Sequence, residues 1–224
     1  MKYSILFIIL FSWSCAHKPI SKEIKREFTN RFEGKNTGIR EKLNMDGYYQ
    51  YWRQEDIEFN PQTKQRDTFF YNLIFYEDGT YLYNFSSFHD YPQNPDEYLK
   101  QVAKNGKTDR FYVSFYWGIY KIAHDTIVAQ FIDNVSGAYL APWSGGEAWF
   151  KIIDRNTLQY LYYRNFKKRN HDEIIAAEKS VANSSLAIYH SSEILPPPYA
   201  WLKKEKWLWA NEEDWKRYME LIKQ

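Results

Sequence analysis

The stretch Tyr71-Asn72-Leu73-Ile74-Phe75-Tyr76-Glu77-Asp78-Gly79-Thr80-Tyr81-Leu82-Tyr83-Asn84-Phe85 decides the fold class. Two aromatic and aliphatic runs flank Asp78-Gly79, a dipeptide favoured where both turn residues take φ > 0, so the segment predicts a β-hairpin. With a side-chain period of two, Tyr71, Leu73 and Phe75 fall on one face of the first strand. The same texture recurs over residues 46–53, 68–76, 80–88, 111–121, 126–133, 147–154 and 157–166, each run bounded by turn residues. His124-Asp125 divides one pair of runs and Asp154-Arg155-Asn156 another, so three hairpins in succession predict an antiparallel meander. The links 89–110 and 134–146 are polar or carry Pro92, Pro95, Gly106, Gly137, Pro142, Gly145 and Gly146, and are expected as loops at the ends of the sheet.

Composition bounds the class. In 224 residues, 20% are aromatic, with 9 Gly and 8 Pro, which is a core-forming balance that excludes disordered and collagen-like chains. A net charge of +2 without a dense basic run gives no footprint for nucleic acid. One cysteine rules out an internal disulfide, a cysteine-based zinc site and a CxxC redox pair.

That cysteine lies at the end of an N-terminal signal. Lys2 supplies a positive start, residues 3–11 form an apolar run, and Ser12-Trp13-Ser14-Cys15 closes it. The run is too short for a membrane-spanning helix, which needs about 20 residues. Ser14-Cys15 after the apolar run resembles the lipobox of bacterial lipoproteins, in the looser form of Bacteroidota. The resemblance implies cleavage before Cys15, thioether lipidation of its sulfur and acylation of its new amine. Several acyl chains make a stable anchor where one is marginal. With Ala16 after the cysteine, the resemblance points to the outer membrane, its face left open. The expected organisation is a signal peptide at 1–14, a lipidated tether at 15–44 with a short helix at 20–28, a β domain at 45–166, and a C-terminal helical extension at 167–224 packed on it.

In that extension, 171–182 is helix-compatible and Pro196-Pro197-Pro198 is a stiff extended spacer. A helix is predicted over 211–223: Asn211 suits the N-cap, Glu212, Glu213 and Asp214 suit the first turn, and Trp215, Tyr218, Met219 and Ile222 form one apolar stripe. The stripe is expected to lie on the sheet as an integral lid.

Asp46-Gly47-Tyr48-Tyr49, Ile74-Phe75-Tyr76-Glu77-Asp78-Gly79-Thr80-Tyr81 and Trp117-Gly118-Ile119-Tyr120-Lys121-Ile122 together resemble lipocalin-like domains of bacterial lipoproteins. The similarity covers residues 46–166 and implies a mainly β fold: an antiparallel meander forming a lipocalin-like barrel or a strongly curved sheet, with about eight strands and room for one small ligand. In 111–121, Phe111, Val113, Phe115, Trp117 and Ile119 give one apolar parity; Tyr112, Ser114, Tyr116, Gly118 and Tyr120 give an amphipathic one, suited to a wet lumen or to a half-covered face. A packed aromatic core and a ligand cavity both fit this pattern. For a cavity, Tyr71, Tyr83, Phe115, Trp117 and Tyr162 are the candidate contacts to a small apolar or aromatic molecule. The other reading is a structural lipoprotein that docks another envelope protein through its aromatic surface, including Trp201, Trp207, Trp209 and Trp215.

None of the catalytic signatures HExxH, GxxxxGK[ST], GxGxxG and GxSxG occurs. The expectation is a non-catalytic protein with no cofactor and no metal. His89-Asp90, His124-Asp125 and His171-Asp172 fall in predicted turns or at a helix start, where aspartate is favoured without chemistry. Asp125-Thr126-Ile127 resembles the O-glycan acceptor of Bacteroidota, which makes Thr126 a candidate modification site.

Overall fold

Eight strands follow one another with every pairing antiparallel: β1 (Gly47–Asn60), β2 (Gln65–Phe75), β3 (Thr80–Tyr83), β4 (Tyr116–Ala123), β5 (Thr126–Asp133), β6 (Ser144–Asp154), β7 (Thr157–Asn165) and β8 (Leu186–Ser191). β8 returns to β1, with Gly47 opposite Ser191 and Gln50 opposite Ile188, and the sheet closes as an up-and-down barrel. The computed structural model describes residues 20–60, 65–83, 94–108, 112, 116–133, 143–166 and 185–223. Of the two expected forms, barrel and curved sheet, the chain takes the barrel.

The three short hairpins lie at one end, the base. Gly79 takes φ 91° in the β2–β3 turn and His124 takes φ 58° between β4 and β5, the left-handed conformations such turns require. Asp78 caps its turn by accepting from Thr80 N and Thr80 Oγ1 at 2.9 and 2.6 Å. The other end, the mouth, is where β1 and β2, β3 and β4, β5 and β6, and β7 and β8 are joined.

Strand alternation produces two cores. The inward set includes Tyr49, Tyr51, Leu73, Phe75, Tyr81, Tyr83, Tyr120, Ile127, Phe131, Phe150, Leu158 and Tyr160. Gly118 makes part of this packing fit: a Cβ there would come within 2.4 Å of the Tyr81 ring and 2.2 Å of the Gln130 carbonyl, so the Tyr81 ring lies flat over bare backbone. The outward set on β2 to β5, Ile74, Leu82, Trp117, Ile119 and Ile132, forms a second core beneath both terminal segments and helix α2 (Pro95–Asn105). Chain outside the strands therefore supplies half of a second hydrophobic layer.

The N-terminal segment is the largest departure from expectation. The tether reading of 15–44 fails from Ile20 onward, because Ile24, Phe28, Ile39 and Leu43 are each at most 1% exposed. Helix α1 (Lys22–Glu27) is capped by Ser21, which accepts from Ile24 N at 3.3 Å. Beyond it the chain descends the outside of the barrel. Asn30 N donates to Gln130 Oε1 at 2.8 Å and its amide donates to Val128 O at 3.0 Å; Thr37 N then reaches Glu77 O at 2.8 Å. Across the base, Lys42 donates to His124 O at 3.1 Å and Asn44 N to Arg155 O at 3.0 Å. Residues 37–44 thus touch all three hairpins, and Ile39 and Leu43 join the inward core. Isolated apolar residues at wide, irregular spacing gave no periodic signal, which is why the segment reads as a solvated tether.

Three further corrections concern elements. The expected loop 89–110 contains α2, with Asn94 as N-cap, Pro95 in the first turn and Tyr98, Leu99 and Val102 buried; Pro95 marks a helix start. Strand β4 begins at Tyr116, not 111. β8 was not foreseen, because its outward positions Leu186 and Ile188 are apolar and 51% and 44% exposed, so polar alternation is missing. The candidate helix at 171–182 lies outside the described residues.

At the C-terminus, Ala200, Leu202 and Leu208 are buried at 1% or less in a strap of two short 3-10 turns (Trp201–Lys204 and Lys206–Leu208). The strap pairs with the N-terminal segment: Phe32 N donates to Leu208 O at 2.9 Å and Ala210 N to Phe32 O at 3.0 Å. Helix α3 (Glu212–Leu221) has the expected Asn211 cap, which accepts from Glu213 N at 2.8 Å. It rests on the strap rather than on the sheet, through Trp215 Nε1 to Lys204 O (3.0 Å) and Tyr218 against Trp209 (5.4 Å between rings). None of its residues is buried, so the strap and not the helix is the integral cover.

Candidate functional site

Inside the barrel, base and mouth differ in character. The base half is plugged: Ile39, Leu43 and Met45 fill it from below, and Tyr49 Oη donates to Arg155 O at 2.7 Å. Tyr120 Oη donates to Tyr76 O at 2.6 Å and lies 2.8 Å from Thr37 Oγ1. Toward the mouth the inward positions become tyrosines. Tyr51 stacks between Tyr71 (4.9 Å) and Tyr160 (5.2 Å), and its hydroxyl is 3.1 Å from that of Tyr83. Tyr83 stacks on Phe131 at 4.7 Å, Phe131 on Tyr163 at 6.1 Å, and Tyr116 stands edge-on to Phe131 at 5.6 Å. Tyr71, Tyr116 and Tyr163 point inward yet keep partial solvent exposure. These three are mouth-side inward aromatics that reach solvent.

The deepest member is Tyr81. It is fully buried, its ring stacks on Phe75 at 5.8 Å, and its hydroxyl has no hydrogen-bond partner among the described residues. Burial drives its phenol pKa well above the ordinary value, with Tyr83, Tyr163 and Glu147 adding to the rise. Burial likewise raises Tyr49, Tyr76 and Tyr120. These phenols are neutral at physiological pH, so what they offer is aromatic surface and uncharged hydrogen bonding. An unsatisfied buried hydroxyl costs about 1–3 kcal/mol, which a polar atom placed beside Tyr81 would offset.

Of the five candidate contacts, the fold brings together Tyr71 and Tyr83, with ring centroids 5.8 Å apart. Trp117 is fully buried on the opposite face of its strand, stacked on Tyr76 at 5.8 Å beneath the covering layer. Tyr162 also faces outward, edge-on to Trp149 at 6.1 Å. Phe115 and Cys15 lie outside the described residues. The error over Trp117 has a simple cause: the more apolar parity of β4 serves the outer core, and the Tyr-Gly-Tyr parity of Tyr116, Gly118 and Tyr120 lines the lumen. Tyr51, Tyr81, Tyr116, Phe131 and Tyr163 were missed, and the signal that finds them is this second parity.

Thr126 opens β5 at the base, half-exposed, its hydroxyl donating to Asp125 Oδ1 at 3.2 Å. His124 belongs to the same turn and is exposed, while His190 stacks outside the barrel on Tyr48 at 5.3 Å. A separate cleft of about 300 Å³ opens outside the barrel between the N-terminal segment, the β2–β3 turn and β4, lined by Arg31, Glu33, Lys35, Thr37 and Lys121 among others. In comparisons with known proteins, no family model, no curated protein and no solved structure matches this chain.

Proposed function

We propose that this chain is a lipocalin-like lipoprotein, anchored by lipids on Cys15 to the outer membrane of a Bacteroidota-type envelope, whose barrel binds one small apolar or aromatic molecule. The observation that carries the binding reading is the set of inward, partly exposed tyrosines at the mouth, Tyr71, Tyr116 and Tyr163, above a plugged base. Pockets for such ligands are predominantly aromatic and apolar with a few placed polar groups, and the Tyr81 hydroxyl supplies one. The anchor reading rests on the N-terminal sequence and on the reactive liability of a free thiol in an oxidising envelope.

A second reading, docking of another envelope protein, is favoured by the exposed outer side chains Trp52 and Phe70, 45% and 46% exposed and paired across β1 and β2. The strap tryptophans are less suited to it, since Trp207 packs on Phe28 at 5.5 Å and Trp209 on Phe32 at 4.7 Å.

Native mass spectrometry of the mature protein purified from its own envelope tests the binding reading. A retained small mass that is lost in Tyr71→Ala and Tyr83→Ala supports the carrier; a co-purifying protein whose retention depends on Trp52 supports docking. Cys15→Ser should abolish acylation and release the protein from membranes.

A further inference from the structure

We infer that the lipid anchor holds the barrel with its mouth toward the bilayer, so that the surface facing the tyrosine-lined lumen is the membrane itself. This rests on the anchor reading above and extends it to the orientation of the site. The path of the N-terminal segment carries the inference. From the base it climbs the outside of the barrel, passing Val128 and Gln130 at mid-height, and reaches the mouth end at Glu27 and Phe28. There Glu27 pairs with Arg164 at 3.3 Å and Phe28 packs on Phe166 at 6.2 Å. Arg164 sits at the mouth end of β7 and Phe166 just beyond it.

Helix α1 is about 9 Å long at 1.5 Å per residue, and Ile20 just before it is already buried at 7% exposure in the outer core that holds Phe28 and Phe166. Only residues 16–19 separate Cys15 from Ile20, a reach of at most about 18 Å when fully extended. The base lies farther away: the 11 residues of β6 span about 33 Å, which a strand tilt near 40° turns into a height of roughly 25 Å. From Glu27 and Phe28 at the mouth, Cys15 comes within reach of the base only if α1 and a fully extended 16–19 both run straight back down the wall, so the anchor is assigned to the mouth side.

Charge agrees. Lys22 and Arg26 are exposed on α1 and Lys25 is half-exposed, against one exposed acid, Glu23, so the anchor-side helix offers a cationic face to anionic headgroups. A molecule entering a mouth held this way comes from the bilayer rather than from bulk water.

The test uses the acylated mature protein in vesicles of phosphatidylcholine and phosphatidylglycerol carrying a headgroup energy acceptor. Lipidation consumes the Cys15 sulfur, so one introduced thiol takes a donor dye selectively. Asn165→Cys marks the mouth and Ile153→Cys the base. Asn165 pairs with Gly146, seven residues from Ile153 along β6, which separates the labels by roughly 18 Å in height. Several-fold more transfer from the Asn165 label than from the Ile153 label is expected. Equal or reversed transfer, with the protein floating on the vesicles, overturns the orientation while leaving the anchor standing. A protein that does not float overturns the anchor and the orientation together. Tyr162→Cys serves as a second mouth-side position and should rank between the two; a rank below Ile153 also refutes the orientation.

Discussion

The buried pair Lys203–Asp78 ties the C-terminal strap to the β2–β3 hairpin and predicts an unequal response to removing either partner. The lysine side chain is 7% exposed and the aspartate 27%. Lys203 Nζ also donates to Pro198 O at 2.7 Å and lies 5.3 Å above the Phe32 ring. Lys203→Met leaves an aspartate that still accepts from Thr80 N and Thr80 Oγ1 and sees some water, so a loss of about 2 kcal/mol is expected. Asp78→Asn keeps the turn oxygen but strands a cation in the apolar layer with one carbonyl for company, and about 3–4 kcal/mol is expected. The double variant removes both charges and keeps a flexible apolar chain over Phe32, so its loss should stay near 2 kcal/mol, well short of the sum. Urea unfolding followed by circular dichroism at neutral pH measures all three. If Asp78→Asn proves milder than Lys203→Met, or the two effects simply add, the pair does not hold the strap in the way argued.

Other expectations follow from the same packing. Gly118→Ala places a methyl against the Gln130 carbonyl and the Tyr81 ring; backbone on one side cannot yield, so a loss of about 1–3 kcal/mol is expected in denaturant titrations. Leu202→Ala, fully buried in the strap, should cost about 2–5 kcal/mol, whereas ending the chain after Ala210 removes only α3, in which nothing is buried, and should shift the melting midpoint little. A large shift on that truncation would restore the helix as an integral lid. Tyr76 and Tyr81 have phenol pKa values raised by burial. Unfolded phenols ionise near pH 10 while the folded ones stay protonated, so stability is full below that pH and falls above it. Tyrosinate absorbance should therefore rise together with loss of structure on alkaline titration; ionisation of every tyrosine with the fold intact would contradict the burial.

The barrel was legible because its turns carry their own chemistry. Asp78-Gly79, His124-Asp125 and Asp154-Arg155-Asn156 marked all three base hairpins, and alternation put Tyr71, Leu73 and Phe75 on one face, which the barrel turns inward. What could not be read was which parity faced the lumen. That choice is made mostly by distant chain: Trp117 faces outward because the N-terminal segment, the strap and α2 are there to cover it, and no local pattern announces Phe28, Phe32, Leu202 and Leu208, each more than 80 residues away in sequence. The same cover hid the true nature of residues 20–44, whose apolar side chains are spaced to fit the barrel wall and base rather than to make a helix or a strand. Local spacing reports local partners, and here the partners are remote.

The contact of Phe32 with Leu208 and Ala210, together with the pairing of β1 with β8, sets an order of events during synthesis. The N-terminal segment finds this partner only when residues 208–210 have been made. The barrel seam cannot close before β8 ends at Ser191, nor the outer layer before Ala210, and until then the layer over Trp117, Ile119 and Phe28 lacks its strap. Such long-range closure is slow and leaves apolar surface open to association. The nascent chain should therefore depend on holding factors until the strap is released, and C-terminal truncations that reach into the strap should be recovered as aggregates.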